Sequence, residues 1–130
     1  MWPWGGFGAN PLPTRFQRIW DGMRGAVAGG FPYSEGIFED LNTCLWAGFY
    51  LRGDADIGEA LDEYCRHEFG CADPAAFTVA VPRLERAHAP CWRPEKSGDD
   101  FIPAHALDVD VVETHRMFQS LAQGLPPWGR

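Results

Sequence analysis

Apolar side chains recur at spacings of three and four along most of the chain, and glycine and proline mark the breaks between these stretches. Residues 1–13 do not fit this pattern. Trp2-Pro3-Trp4-Gly5-Gly6-Phe7-Gly8 and Asn10-Pro11-Leu12-Pro13 hold too many Gly and Pro for a regular element. After them Thr14 is placed to cap a helix over residues 15–28, with Phe16, Ile19, Trp20, Met23 and Val27 on one face and Gly29-Gly30 as the stop. Gly22 and Gly25 weaken that helix. Residues 31–36 read as an extended connection, or a short strand, because Pro32 biases Phe31 away from helix.

The strongest helical pattern covers residues 37–51, with Ile37, Leu41, Cys44, Leu45, Gly48 and Phe49 on one stripe that Phe38, Trp46 and Tyr50 widen. A helix this apolar expects cover on more than one side. Arg52-Gly53-Asp54 breaks it, and Asp54 or Asp56 can cap a helix marked by Ile57, Leu61, Tyr64, Cys65 and Phe69 that stops at Gly70. Asp73-Pro74 opens another through Phe77, Val81 and Leu84 towards His88, which Pro82 should kink or divide. Residues 89–103 read as a polar loop. Asp108 or Asp110 then caps a last helix to about Gln123, whose buried face would include Val111, Val112, His115, Phe118, Leu121 and Ala122. Gly124-Leu125-Pro126-Pro127 ends it. The expected fold is mainly α, four or five helices behind an irregular Gly/Pro/Trp-rich segment, in one domain over residues 1–130.

Composition narrows the partners. The 130 residues are 45% hydrophobic and 14% aromatic, enough apolar material for a core. Eleven Lys+Arg against eighteen Asp+Glu give a formal charge of -7, which repels phosphate backbones and anionic membranes. Neither nucleic acid nor membrane is an expected partner. Without a long apolar run or a signal-like start, a cytoplasmic location is expected. Cys44, Cys65, Cys71 and Cys91 read as free thiols rather than a disulfide framework. A zinc set would draw on Cys65, His67, Cys71 and Cys91, but two positions along a helix point Cys65 and His67 to nearly opposite sides. No metal and no cofactor is expected.

Motifs of catalysis are incomplete. Gly6-Phe7-Gly8-Ala9-Asn10-Pro11 places Pro where a dinucleotide fingerprint needs its third Gly, and no Gly-Lys-Ser or Gly-Lys-Thr forms a phosphate loop. Pro32-Tyr33-Ser34-Glu35-Gly36 shares only the latter half of a nucleophile elbow, and Ser34 reads better as a helix cap with Glu35 or Glu39 near the positive end. His115, on an apolar stripe, reads as a packed core histidine. Six tryptophans are dense for a small helical core. Trp20 and Trp46 fall on helix stripes and read as core, while Trp2 and Trp4, among glycines, are candidate sugar platforms.

The segment Gly30-Phe31-Pro32-Tyr33-Ser34-Glu35-Gly36-Ile37-Phe38-Glu39-Asp40-Leu41-Asn42, its aromatic continuation through Trp46, Phe49 and Tyr50 to Phe69, and the loop Trp4 to Pro11 resemble a stretch late in large bacterial glycoside hydrolase-like proteins. That resemblance covers about the first 70 residues. It implies the end of a TIM-type barrel over residues 1–36 followed by a helical region over 37–130. A barrel needs about 250 residues, so the resemblance implies a fragment or a remnant. It also implies that Tyr33 and Ser34 line a sugar site with Trp2 and Trp4, and that Glu35 is one of the two carboxylates such hydrolysis employs. Carbohydrate is then the expected ligand, with little activity expected in isolation. An apolar helix face left open by missing strands would make a homo-oligomer. The alternative is a stand-alone helical interaction protein without catalysis.

Overall fold

A computed structural model of the protein describes residues 11–33, 39–88 and 109–129. Among the described residues five α-helices follow one another: α1 (Pro13–Met23), α2 (Asp40–Leu51), α3 (Ile57–Phe69), α4 (Ala75–His88) and α5 (Val109–Gly124), with a 3-10 turn at Pro127–Gly129. No strand occurs among the described residues, so the mainly α expectation holds and this part of the chain supplies no barrel strand. Residues 31–33 are irregular. Residues 34–38, the loop 89–103 and the cap candidate Asp108 lie outside the described residues.

Helix α1 begins one residue before the expected cap, because Pro13 takes the first helical position, where its fixed φ and missing N–H cost nothing. Thr14 is thereby inside the helix. The next two amides, of Thr14 and Arg15, donate to the two carboxylate oxygens of Glu85 on α4, at 2.8 and 2.9 Å. A carboxylate 71 positions away in sequence thus satisfies orphan N–H groups and complements the positive end of the helix dipole. At its other end α1 stops at Met23, well short of residue 28. Gly22 and Gly25 supply no side-chain packing and cost backbone entropy, so the chain leaves through a turn closed by Ala26 N–H to the Met23 carbonyl at 2.8 Å.

Both ends of α3 follow the sequence. Asp56 accepts from the Gly58 amide at 2.7 Å, and Gln17 of α1 accepts from the Ile57 amide at 3.0 Å. Gly70 closes the helix with φ 62°, a left-handed conformation that favours glycine. The Trp128 ring lies over Gly70 where a β-carbon would sit. Helix α4 starts under the Asp73 carboxylate, which accepts from Ala75 N–H at 3.2 Å, and runs through Pro82 as one undivided helix.

Helix α3 packs against α1, α2, α4 and the terminal turn, and α5 pairs most extensively with α4. The core collects Trp20, Leu45, Phe49, Leu61, Tyr64, Cys65, Phe77 and Val81. On α2 the buried face is Asn42, Leu45 and Phe49, flanked by half-buried Leu41, Trp46 and Tyr50. Cys44 lies off that face and is exposed, contrary to its place on the expected stripe. The face of α5 is also rotated from expectation. Thr114 is buried, with Val111, Phe118 and Leu121 half-buried, whereas Val112, His115 and Ala122 are exposed. Spacings of three, four and three select residues 111, 114, 118 and 121, and His115, one position on, turns about 100° away. It is a solvent-facing histidine rather than a core one.

The Glu85 carboxylate holds α1 by two long-range hydrogen bonds. Replacing Glu85 with Ala is expected to destabilise the chain by about 1–2 kcal/mol, and with Gln by less, because one amide oxygen still accepts. Urea unfolding of the variants checks this; an unchanged midpoint for Glu85→Ala would show that water serves the helix end equally well.

Candidate functional site

The chain enters α1 and α2 side by side, and a polar bond fixes the two entrances together. Asn42, on the buried face of α2, accepts from the Leu12 amide at 3.0 Å through its Oδ1. Beside this bond lies a small open cleft of about 150 Å³ lined by Leu12, Phe16, Pro32, Tyr33, Glu39, Asn42, Thr43 and Trp46. Aromatic packing shapes its floor. Trp46 meets Phe16 at 5.1 Å between ring centroids and stacks on Tyr50 at 5.6 Å, which holds the indole in one orientation. Tyr33 stands at the rim, 75% exposed. Thr43 donates its hydroxyl to the Glu39 carbonyl at 3.0 Å, leaving its oxygen lone pairs as acceptors.

Of the expected site residues, the structure brings Tyr33 to this cleft. Trp2, Trp4, Ser34 and Glu35 lie outside the described residues. Three cleft residues, Glu39, Asn42 and Trp46, are not marked as a site by the sequence. A signal for Asn42 is nonetheless present: at spacings of three and four from Leu45 and Phe49 it is a polar residue on an apolar face. Trp46, expected in the core, packs against the core with one edge on the cleft.

A second groove, about 220 Å³, runs between α2 and α3 along Cys44, Gly48, Arg52, Ala60, Glu63, Tyr64, His67 and Glu68. Its chemistry is quiet. Tyr64 donates its hydroxyl to the Asp40 carboxylate in a short hydrogen bond. Burial first, then that bond, hold the Tyr64 phenol well above the usual tyrosine range. Although Cys44 is exposed overall, partial burial of its sulfur, together with Glu68 and Asp40, raises the thiol, so a nucleophilic thiolate is disfavoured there. Arg52 is committed to Glu63 at 2.7 Å. No group of three or more His, Cys, Asp or Glu that could hold a metal occurs among the described residues. Nor is any helix there long and apolar enough to cross a membrane.

Compared with protein-family models, curated proteins and solved structures, the chain matches none.

The raised acids of this region make a pH prediction. Tyr64 and Cys65 hold their protons more tightly in the folded chain than an ordinary tyrosine at 10.0 or cysteine at 9.0, so at alkaline pH the folded state binds more protons than the unfolded. Their contribution to stability is full below about pH 9 and is lost as pH rises from there. Tyr64→Phe should leave stability near pH 7 within about 1 kcal/mol, since Asp40 is exposed and water replaces its donor, and should make the loss above pH 10 shallower. Denaturant midpoints from pH 7 to 11 check this; parallel profiles for the two proteins would contradict it.

Proposed function

We propose that the chain contributes a carbohydrate-binding cleft to a glycoside hydrolase-like protein and does not hydrolyse sugar by itself. The observation that carries this reading is the meeting, in the lining of one cleft, of three aromatic residues, Phe16, Tyr33 and Trp46, with the polar residues Glu39, Asn42 and Thr43. Aromatic faces accept the C–H faces of a sugar ring, and carboxylate, amide and hydroxyl groups pair with its hydroxyls. The resemblance through Tyr33-Ser34-Glu35-Gly36 points to the same stretch of chain, and Glu35 precedes Glu39 by four positions. Hydrolysis usually needs two carboxylates at a defined separation. Glu39 is the one carboxylate among the described lining residues.

Size sets the expected affinity. At about 150 Å³ the cleft is smaller than the roughly 300–1,000 Å³ of ordinary small-molecule sites, so it suits one ring rather than an oligosaccharide. A hexose has about 12 non-hydrogen atoms, and about 0.3 kcal/mol from each gives roughly 4 kcal/mol, a Kd near millimolar.

A second reading, a stand-alone helical interaction protein, is favoured by one specific observation. The apolar face of α2, which a barrel remnant would leave open, is covered within the chain: Leu45 is 1% and Phe49 0% exposed. Titration of monosaccharides followed by tryptophan fluorescence and amide NMR separates the two readings. The carbohydrate reading expects millimolar binding, weakened at least about tenfold by Tyr33→Ala, reduced by Glu35→Gln and Glu39→Gln, with unfolding midpoints unchanged. Absence of binding to any neutral or acidic monosaccharide at tens of millimolar would overturn it and leave the interaction reading.

A further inference from the structure

The turn that ends α3 places two thiols together. Gly70, in its left-handed conformation, reverses the chain so that the Cys71 amide returns to the Cys65 carbonyl at 3.4 Å. Both cysteines are free, and this main-chain bond holds them side by side across the turn. A disulfide needs Cα atoms about 4.4–6.8 Å apart, and a direct main-chain hydrogen bond draws two backbones together on that order of separation. Their exposures differ: Cys65 is in the core at 1% exposed, whereas Cys71 is only half-buried and donates its thiol to the Asp73 carbonyl at 3.1 Å.

We propose that Cys65 and Cys71 form a reversible disulfide that clamps the end of α3, a redox switch built into the helix terminus. Hydroperoxides are the oxidant class. Cys71 is the sulfur a peroxide can reach. Its thiolate attacks one peroxide oxygen, the O–O bond breaks, the other oxygen leaves as hydroxide and takes up a proton, and Cys71 becomes a sulfenic acid. Cys65 then loses its proton and attacks the Cys71 sulfur, forming the S–S bond and expelling the oxygen as water. Overall two thiols are oxidised and one hydrogen peroxide is reduced to two waters. Burial pushes the Cys65 thiol up to about 12, so Cys71 rather than Cys65 is the first to attack. The clamp acts on a packed junction. Trp128 and Pro126 sit against Gly70, and a side chain at Gly129 would meet the Phe69 carbonyl, so closing residues 65–71 fixes the seat on which the terminal turn docks.

The sequence provides a direct assay. Cleavage after Arg52, Arg66, Arg83 and Lys96 puts Cys44, Cys65, Cys71 and Cys91 on four separate tryptic peptides. The full chain is treated with stoichiometric hydrogen peroxide, its remaining thiols are alkylated, and it is digested without reduction. The proposal expects a cross-linked pair of peptides 53–66 and 67–83, and a thermal midpoint raised by about 5 °C or more that returns with dithiothreitol. Cys71→Ser should abolish both changes while leaving the reduced midpoint nearly the same. A cross-link of Cys71 to Cys91 or Cys44 instead, both thiols still alkylated, Cys71 over-oxidised with Cys65 reduced, or the expected cross-link with no change in midpoint would each overturn it.

Discussion

The structure depends on enclosing one apolar face of α3. Leu61, Tyr64 and Cys65 are 0%, 9% and 1% exposed, and no single neighbour could achieve this. Helices α1, α2 and α4 and the terminal turn each pack on α3, so its face is covered from several directions. Burying a side chain of leucine size is worth about 1.5–3 kcal/mol, which makes this face an apolar gain shared by α1, α2, α4 and the terminal turn. Two aromatic groups extend from it. Phe16, Trp20, Trp46, Phe49 and Tyr50 join α1 to α2, and Tyr64, Phe69, Phe77 and Phe118 join α3, α4 and α5, with neighbouring centroids 5.1 to 6.4 Å apart.

Apolar burial does not specify how helices are registered; polar tethers do. The Trp20 indole N–H donates to the Gly53 carbonyl at 3.1 Å, Gln17 holds the first amide of α3, Asn42 holds Leu12, and Glu85 holds the start of α1. Among the described residues no buried side-chain nitrogen or oxygen lacks a hydrogen-bond partner. These tethers also create the cleft, because the Asn42 bond brings the two helix entrances together beneath Tyr33 and Trp46.

Signals that act within one turn are legible in the sequence. Asp56 and Gly70 bound α3, Asp73-Pro74 opens α4, and the Gly-Pro run ends α5. What is not legible comes from distant chain. Local rules put the cap of α1 on Thr14, but Glu85, unreadable from its own neighbourhood, serves that end. The stripe on α5 admits two rotations, and only packing against α4 chooses the one with Thr114 inside and His115 outside. The same holds for the cleft: Tyr33 can be nominated from its local motif, whereas Glu39, Asn42 and Trp46 join it through the Asn42 tether and the Phe16 contact.

The apolar face of α2 is covered by α1 and α3 of the same chain, so that these helices share one core. The most direct measurement is thermal unfolding followed at once by near-ultraviolet and far-ultraviolet circular dichroism, over a hundredfold range of protein concentration. Coincident transitions with a midpoint independent of concentration are the predicted result. A midpoint that climbs with concentration would mean that another copy, and not α1 and α3, supplies the cover.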